Sequence, residues 1–290
     1  MRIGLSTPVV IQMPGASSKW ERAASVEDII RIAETADQLG FDYLTCPEHV
    51  IVPEDDAALR GSTYWDPVAT LAFLAARTKR IRLATAVVVL GYHHPLAIAK
   101  RYGTLDRLSG GRLVLGVGVG SLKAEFELLN APFADRGPRA DDALRALRAS
   151  FSTNRPAYSG EYFAFDSVVM DPCAAQEHVP IWVGGRTRRS LRRAVTLADG
   201  WIPFGLSTKD ITTMLAAVEL PPAFEVVLPC GPLDPTGAPD DVRRRLLTLR
   251  ELGATSATCA IAADSPSHYR EQLGALHALS EETEGASLDR

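Results

Sequence analysis

The sequence has little of several things. Its four cysteines, Cys46, Cys173, Cys230 and Cys259, lie far apart, and no C-x-x-C pair occurs. That spacing argues against a disulfide framework or a thiolate zinc site and predicts reduced thiols in a cytoplasmic protein. Positive charge is not in excess, the formal net charge being -4, so a nucleic-acid partner is not expected. No apolar run is long enough to cross a bilayer, and no charged-then-apolar leader opens the chain, so no membrane partner is expected either. His93 and His94 are adjacent but lack an H-x-x-x-H or carboxylate companion, so no metal is expected. Matching carboxylate pairs are also missing from the strand-end loops, which puts a non-redox barrel hydrolase last.

What the chain does have is glycine at period two. From Arg112 to Val119 the residues alternate, with Leu113, Leu115, Val117 and Val119 on one side and Gly116, Gly118 and Gly120 on the other. Glycine inside a strand fills no space, so three in register imply that something approaches the backbone closely. A flat ring system against the strand end fits, and so does relief of crowding inside a barrel. A dinucleotide fingerprint fits less well, because Ser121 stands where G-x-G-x-x-G requires glycine or alanine.

Eight strands follow from the pattern: Arg2 to Ser6, Asp42 to Cys46, Ile81 to Leu90, Arg112 to Val119, Pro180 to Val183, Gly200 to Ile202, Phe224 to Leu228 and Ala257 to Ile261. Helical signals fall between them. Ser25 with Asp28 reads as a capping box and Gly40 as a left-handed cap, while Asp66-Pro67 and His94-Pro95 open further helices. Asp141 to Phe151 is a helix, and residues 158–163 are part of a hairpin-like insertion between strands 4 and 5. This rhythm predicts a single α/β domain over residues 1–280, a closed (β/α)8 TIM barrel, with a flexible tail at 281–290.

In such a barrel the chemistry collects where strands end. Glu48-His49 follows the second strand; His49 can move a proton near neutral pH, and Glu48 could orient its ring. Cys46 opens the same loop and is a candidate ligand contact, Cys259 a core residue. His93 is read as a pocket-rim residue. Gly184-Gly185-Arg186-Thr187 after the fifth strand combines free amides, a helix N-terminus and a hydroxyl, which makes a phosphate site. Arg188, Arg189, Arg192 and Arg193 extend it at i,i+4 spacings that repel unless an anion or acidic neighbours relieve them.

Taken together, these motifs resemble the luciferase-like monooxygenase superfamily, in its branch of deazaflavin-dependent (coenzyme F-420) oxidoreductases. The distinctive stretches are 40–43 leading to Glu48-His49, Trp65-Asp66-Pro67, 81–85, 94–106, 109–118, and 182–185 with 198–201. The resemblance implies a cofactor across the strand ends, and a cis peptide at Ala86–Val87 forming a bulge that supports its ring beside Thr85. It further implies ring and ribityl contacts at Gly118, Val119 and Gly120, a phosphate site at Gly184, Gly185, Arg186 and Thr187, an active-site histidine at His49, and a homodimer. Members that oxidise a sugar phosphate carry glutamate where this chain has Ser121 and tryptophan where it has Pro53, so this chain lacks the groups for that acid–base plan.

The function expected is hydride transfer between reduced coenzyme F-420 and a small organic substrate. The alternatives are a monooxygenase using reduced FMN from a separate reductase, and a non-catalytic binder of a phosphorylated small molecule. Substrate selectivity is expected from the loops after Ser6, around Cys46 to Tyr64, and from Thr153 to Glu177. One further expectation is sharp: the glycine floor should be bare of side chains, and bulky groups on it would count against a redox site.

Overall fold

The computed structural model of the chain describes residues 1–15 and 17–288. Eight strands follow one another around a closed parallel sheet: β1 (Arg2–Ser6), β2 (Tyr43–Cys46), β3 (Arg82–Thr85), β4 (Leu113–Gly118), β5 (Ile181–Gly184), β6 (Gly200–Ile202), β7 (Glu225–Leu233) and β8 (Ser256–Ile261). The β4–β5 pairing sets Gly116 opposite Trp182, and the β8–β1 pairing sets Arg2 opposite Ser256. This is the (β/α)8 barrel expected from the sequence. No helix among the described residues is long and apolar enough to cross a membrane.

Around the sheet run α1 (Val26–Leu39), α2 (Glu54–Arg60), α3 (Pro67–Ala75), α4 (Pro95–Ser109), α5 (Lys123–Leu128), α6 (Arg136–Arg148), α7 (Arg188–Leu197), α8 (Thr208–Leu215), α9 (Pro239–Glu251) and α10 (Pro266–Leu288). Their ends follow local chemistry. Ser25 Oγ accepts the Asp28 amide at 3.2 Å while Asp28 accepts the Ser25 amide at 2.8 Å. Gly40 closes α1 at φ +86, a conformation open to glycine at little cost. Asp66 accepts the Ala69 amide and His94 accepts the Leu96 amide, each with proline at the first helical position.

The barrel interior is filled. Tyr43, Ala84, Val114, Trp182 and Val227 form a buried layer, with the Tyr43 and Trp182 rings edge to face at 5.0 Å. Tyr43 shares a hydrogen bond of 2.7 Å with Thr258 across the lumen. Gly4 makes room for Tyr43, since a Cβ there would fall 2.2 Å from the ring. Below this layer the N-terminal mouth is stoppered by charge. Arg82 binds Asp42 and reaches Glu225 at 3.6 Å, and Arg2 binds Glu225.

Several details depart from the sequence reading. The strand expected over residues 81–90 is broken: β3 ends at Thr85, a cis peptide joins Ala86 to Val87, and Val88–Val89 resumes pairing with β4. The cis bond lies where the family resemblance placed it. A two-residue antiparallel pair, Ile11–Gln12 with Thr63–Tyr64, and the helices α2, α5 and α8 were not anticipated. Helix α6 starts at Arg136 rather than Asp141. The expected tail from residue 281 is corrected: α10 continues to Leu288, with Glu282 bonded to Arg243 at 2.7 Å. Residues 289–290 of that tail lie outside the described residues.

Tyr158–Ser159 pairs with Ala164–Phe165 in the expected hairpin. Asp142 of α6 holds it, accepting the Tyr158 hydroxyl at 2.5 Å and the Tyr162 and Phe163 amides at 2.8 and 3.0 Å. Burial pushes this carboxyl up, but the donors outweigh burial and hold it below the usual range. Docking of the hairpin is therefore complete above the unfolded-state value of about 3.9 and weakens as pH falls through the lower folded value. Replacing Asp142 with Ala should destabilise the protein by about 1–3 kcal/mol and speed hydrogen exchange at the Tyr162 and Phe163 amides. Unchanged exchange at both amides would refute the anchoring role.

Candidate active site

The strand ends show what the period-two glycines accommodate. A Cβ on Gly116 would sit 1.9 Å from the Thr85 carbonyl oxygen, and Thr85 Oγ1 donates to the Gly116 carbonyl at 2.6 Å. Cβ atoms on Gly118 and Gly184 would lie 2.8 and 3.0 Å from the Val87 methyls. Gly120, at φ +77, faces Phe126 and Val89 instead. The bare floor expected from the sequence is thus corrected: the Val87 side chain and the Phe126 ring occupy it, so these glycines lend no support to a redox ring. The glycines make room for the bulge at residues 86–87. Ala86 and Val87 are half-buried, as is Val119.

His49 stands beside this bulge, and its neighbours differ from those expected. Its Nδ1 lies 2.6 Å from Glu125 Oε2. The other oxygen, Oε1, accepts the Val50 and Ile51 amides at 2.8 and 3.2 Å, and the Tyr92 hydroxyl faces this carboxylate. Burial pushes the Glu125 carboxyl up, but bonds from His49 and Tyr92 prevail and hold it low. The Tyr64 ring meets the imidazole edge to face at 4.5 Å.

Glu48 does not orient His49. Its Oε2 accepts the Val89 amide at 2.7 Å and its Oε1 bonds His93 Nε2 at 2.8 Å. Glu48 therefore ties the end of β2 to the strand segment that follows the bulge. His93, expected on a pocket rim, is its partner. Cys46 is fully buried, and burial pushes its thiol up to about 12, so it presents no thiolate to a ligand.

At the end of β5 the segment expected to bind an anion offers fewer free groups than the sequence suggests. Gly184 is buried against Val87, and Gly185 has φ +131. Thr187 caps α7: its Oγ1 accepts the Ser190 amide at 3.2 Å, and its own amide donates to Ser190 Oγ at 3.1 Å. The Thr187 amide is thus engaged, which leaves the first-turn amides of Arg188 and Arg189 without acceptors one turn back. Arg193 leaves the basic cluster to bind Asp141 and the Gly137 carbonyl. Arg186, Arg188, Arg189 and Arg192 are exposed and have no ion-pair partner among the described residues. Arg186 lies 6.0 Å over the Phe204 ring.

The model of the luciferase-like monooxygenase family matches residues 1–220 of this chain. The chain belongs to that family. An uncharacterised protein of Mycobacterium tuberculosis is 31% identical over 261 residues, covering 84% of this chain and 91% of the relative. Monooxygenase RslO1 from Streptomyces bottropensis shares the fold at a TM-score of 0.77 and 23% identity, covering 97% of this chain and 100% of its own. A secondary alcohol dehydrogenase dependent on coenzyme F-420, solved with a cofactor–acetone adduct, superposes at a TM-score of 0.72 with 14% identity, covering 95% and 98%. The luciferase-like chain is accordingly an enzyme.

Two further features lie apart from His49 in this luciferase-like barrel. In the loop after β1, buried Glu21 accepts the Val9 and Ser18 amides at 2.7 and 2.6 Å and holds Val9 at φ +74. That conformation costs a β-branched residue roughly 1–3 kcal/mol. A separate cleft of about 410 Å³ lies at the other end of the barrel, lined by Arg145, Arg148, His178 and Asp199. Its Asp199 is spent on Arg148, His178 and the Ile181 amide. Sequence reasoning missed Glu125, Tyr92 and Tyr64 as neighbours of His49. Glu125 stands in a charged run, Lys123 to Glu127, in which nothing sets it apart from its neighbours.

Replacing Glu48 with Ala leaves the Val89 amide and His93 without their acceptor. Chemical denaturation should show a loss of about 1–3 kcal/mol. A loss no larger than that of an exposed surface glutamate would show that Glu48 does not hold the bulge.

Proposed function

We propose that this enzyme moves a hydride between reduced coenzyme F-420 and a small organic substrate, with His49 carrying the accompanying proton. The observation that supports this most is the continuity of one structural path across the barrel mouth. Next to His49, Glu48 binds the Val89 amide; two residues away, Val87 packs on Gly118 and Gly184; Gly184 leads into the arginine-bearing start of α7. A proton-handling ring, a backbone bulge and an anion site are thus joined.

The residues fit such a cofactor. Four arginines without acidic partners repel one another at a helix N-terminus that already favours anions. A phosphate with further carboxylates would relieve that repulsion more fully than a single phosphate. The backbone at Ala86 and Val87, with half-buried Val119, would back the ring, and Gly185, Arg186 and the first-turn amides of Arg188 and Arg189 would hold the tail. When bound, the reduced deazaflavin supplies the hydride. His49 Nε2, which has no hydrogen-bond partner among the described residues, would give or take the proton at the substrate's polar atom.

The second reading, a monooxygenase fed with reduced FMN by a separate reductase, is favoured by the description of the family itself. Titration of the purified protein with each cofactor separates the two. Binding of the deazaflavin with weak or no FMN binding is expected; tight FMN binding alone reverses the order. A bound cofactor that no candidate substrate reoxidises would favour the binder. Replacing Arg188 and Arg189 with Ala together should weaken cofactor binding at low salt by about tenfold and flatten its salt dependence. His49→Asn should lower turnover about a hundredfold or more while cofactor affinity stays within about twofold. Turnover at the wild-type rate would remove His49 from the mechanism.

A further inference from the structure

A carboxylate organises a histidine when the fold itself holds that carboxylate in place. Glu125 is fully buried, and an ionised carboxylate offers about four lone-pair positions, all of them acceptors. Three donors bond it, His49 Nδ1, the Val50 amide and the Ile51 amide, and the Tyr92 hydroxyl faces it as well. Two of the three donors belong to the residues directly after His49, so one carboxylate fixes both the loop and the ring it carries.

The donor count dictates the tautomer. Because Glu125 only accepts, the His49 nitrogen facing it must carry the hydrogen. A neutral imidazole has one N–H, so Nε2 is then the bare nitrogen. Tyr64, edge to face at 4.5 Å, packs against the ring and opposes its rotation. Glu48 cannot substitute, since both of its oxygens are engaged by Val89 and His93.

We propose that Glu125 is the positioning residue of His49: it locks the neutral imidazole as the Nδ1–H tautomer and so directs Nε2, as a base, toward the substrate. Glu125 keeps its own protonation state throughout and touches neither substrate nor cofactor. The inference deepens the proton-transfer role assigned to His49 and rests on it for its consequence in turnover. The tautomer itself can be observed without any cofactor.

The test therefore has two independent readouts. In protein labelled with nitrogen-15 at histidine, long-range proton–nitrogen correlation spectra recorded where the ring is neutral should show His49 with a protonated Nδ1 and a bare Nε2. Glu125→Gln places an amide among these donors and cannot accept at both ends. It should bring in the Nε2–H tautomer and cut kcat by about tenfold or more, with cofactor affinity unchanged within about twofold. Glu125→Asp keeps the charge and should retain part of both the tautomer and the rate; it also carries the test if Glu125→Gln fails to fold. The proposal is overturned if wild-type His49 shows Nε2–H, if Glu125→Gln lowers kcat without changing the tautomer, or if the tautomer changes while kcat does not. If the tautomer responds but His49→Asn turns over normally, the proton-carrier reading fails while the tautomer lock stands.

Discussion

The site depends on one close approach, that of the Val87 side chain to a wall of glycines. Gly118 of β4 and Gly184 of β5 leave no room for a Cβ beneath it, and Gly116 leaves none beside the Thr85 carbonyl. Only with those positions empty can the chain turn outward after Thr85 and rejoin β4 at Val88. That excursion sets where the Val89 amide points, hence where Glu48 is held, hence where the next residue begins its loop. Packing of this kind transmits displacement because the interior is dense and has few voids to absorb it.

The second organising device is the buried carboxylate. Asp37 accepts the amides of Lys79, Arg80 and Ile81; Asp106 accepts those of Leu113, Ala175 and Gln176. Asp142, Asp199, Glu21, Glu48 and Glu125 do the same elsewhere. A parallel barrel satisfies its strands by pairing, but the loops between elements must find acceptors of their own. A carboxylate supplies several at one point, and its charge strengthens each bond. Most of these acids serve architecture alone. Glu125 differs in that its imidazole partner, His49, stands at the barrel mouth with Nε2 unengaged among the described residues.

The alternating apolar pattern and the capping residues made the barrel legible. Eight strands start close to where the period-two and buried runs put them, although the third is broken at Ala86–Val87 and the seventh runs on to Leu233. The glycines of β4 were legible as a close approach, but what approaches them was not: Val87 lies in the bulge that follows another strand, and a contact between neighbours far apart in sequence leaves no local periodicity. His49 could be singled out from its place after a strand. Its carboxylate partner could not, since 76 residues separate them and adjacency in sequence pointed to Glu48. The arginine run was legible as charge, whereas the departure of Arg193 to Asp141 required the packing of α6 on α7. Helices α2, α5 and α8 escaped because short helices carry too few turns to establish a period.

The charged stopper at the N-terminal mouth and the filled lumen above it bear on traffic. With Arg82, Asp42, Glu225 and Arg2 closing one end and Tyr43 and Trp182 plugging the middle, the barrel has no through-passage. Everything that reaches the reacting atoms must enter and leave by the same door. Two molecules sharing one door queue: the one seated deeper arrives first and departs last, so a compulsory order of binding is built into the architecture.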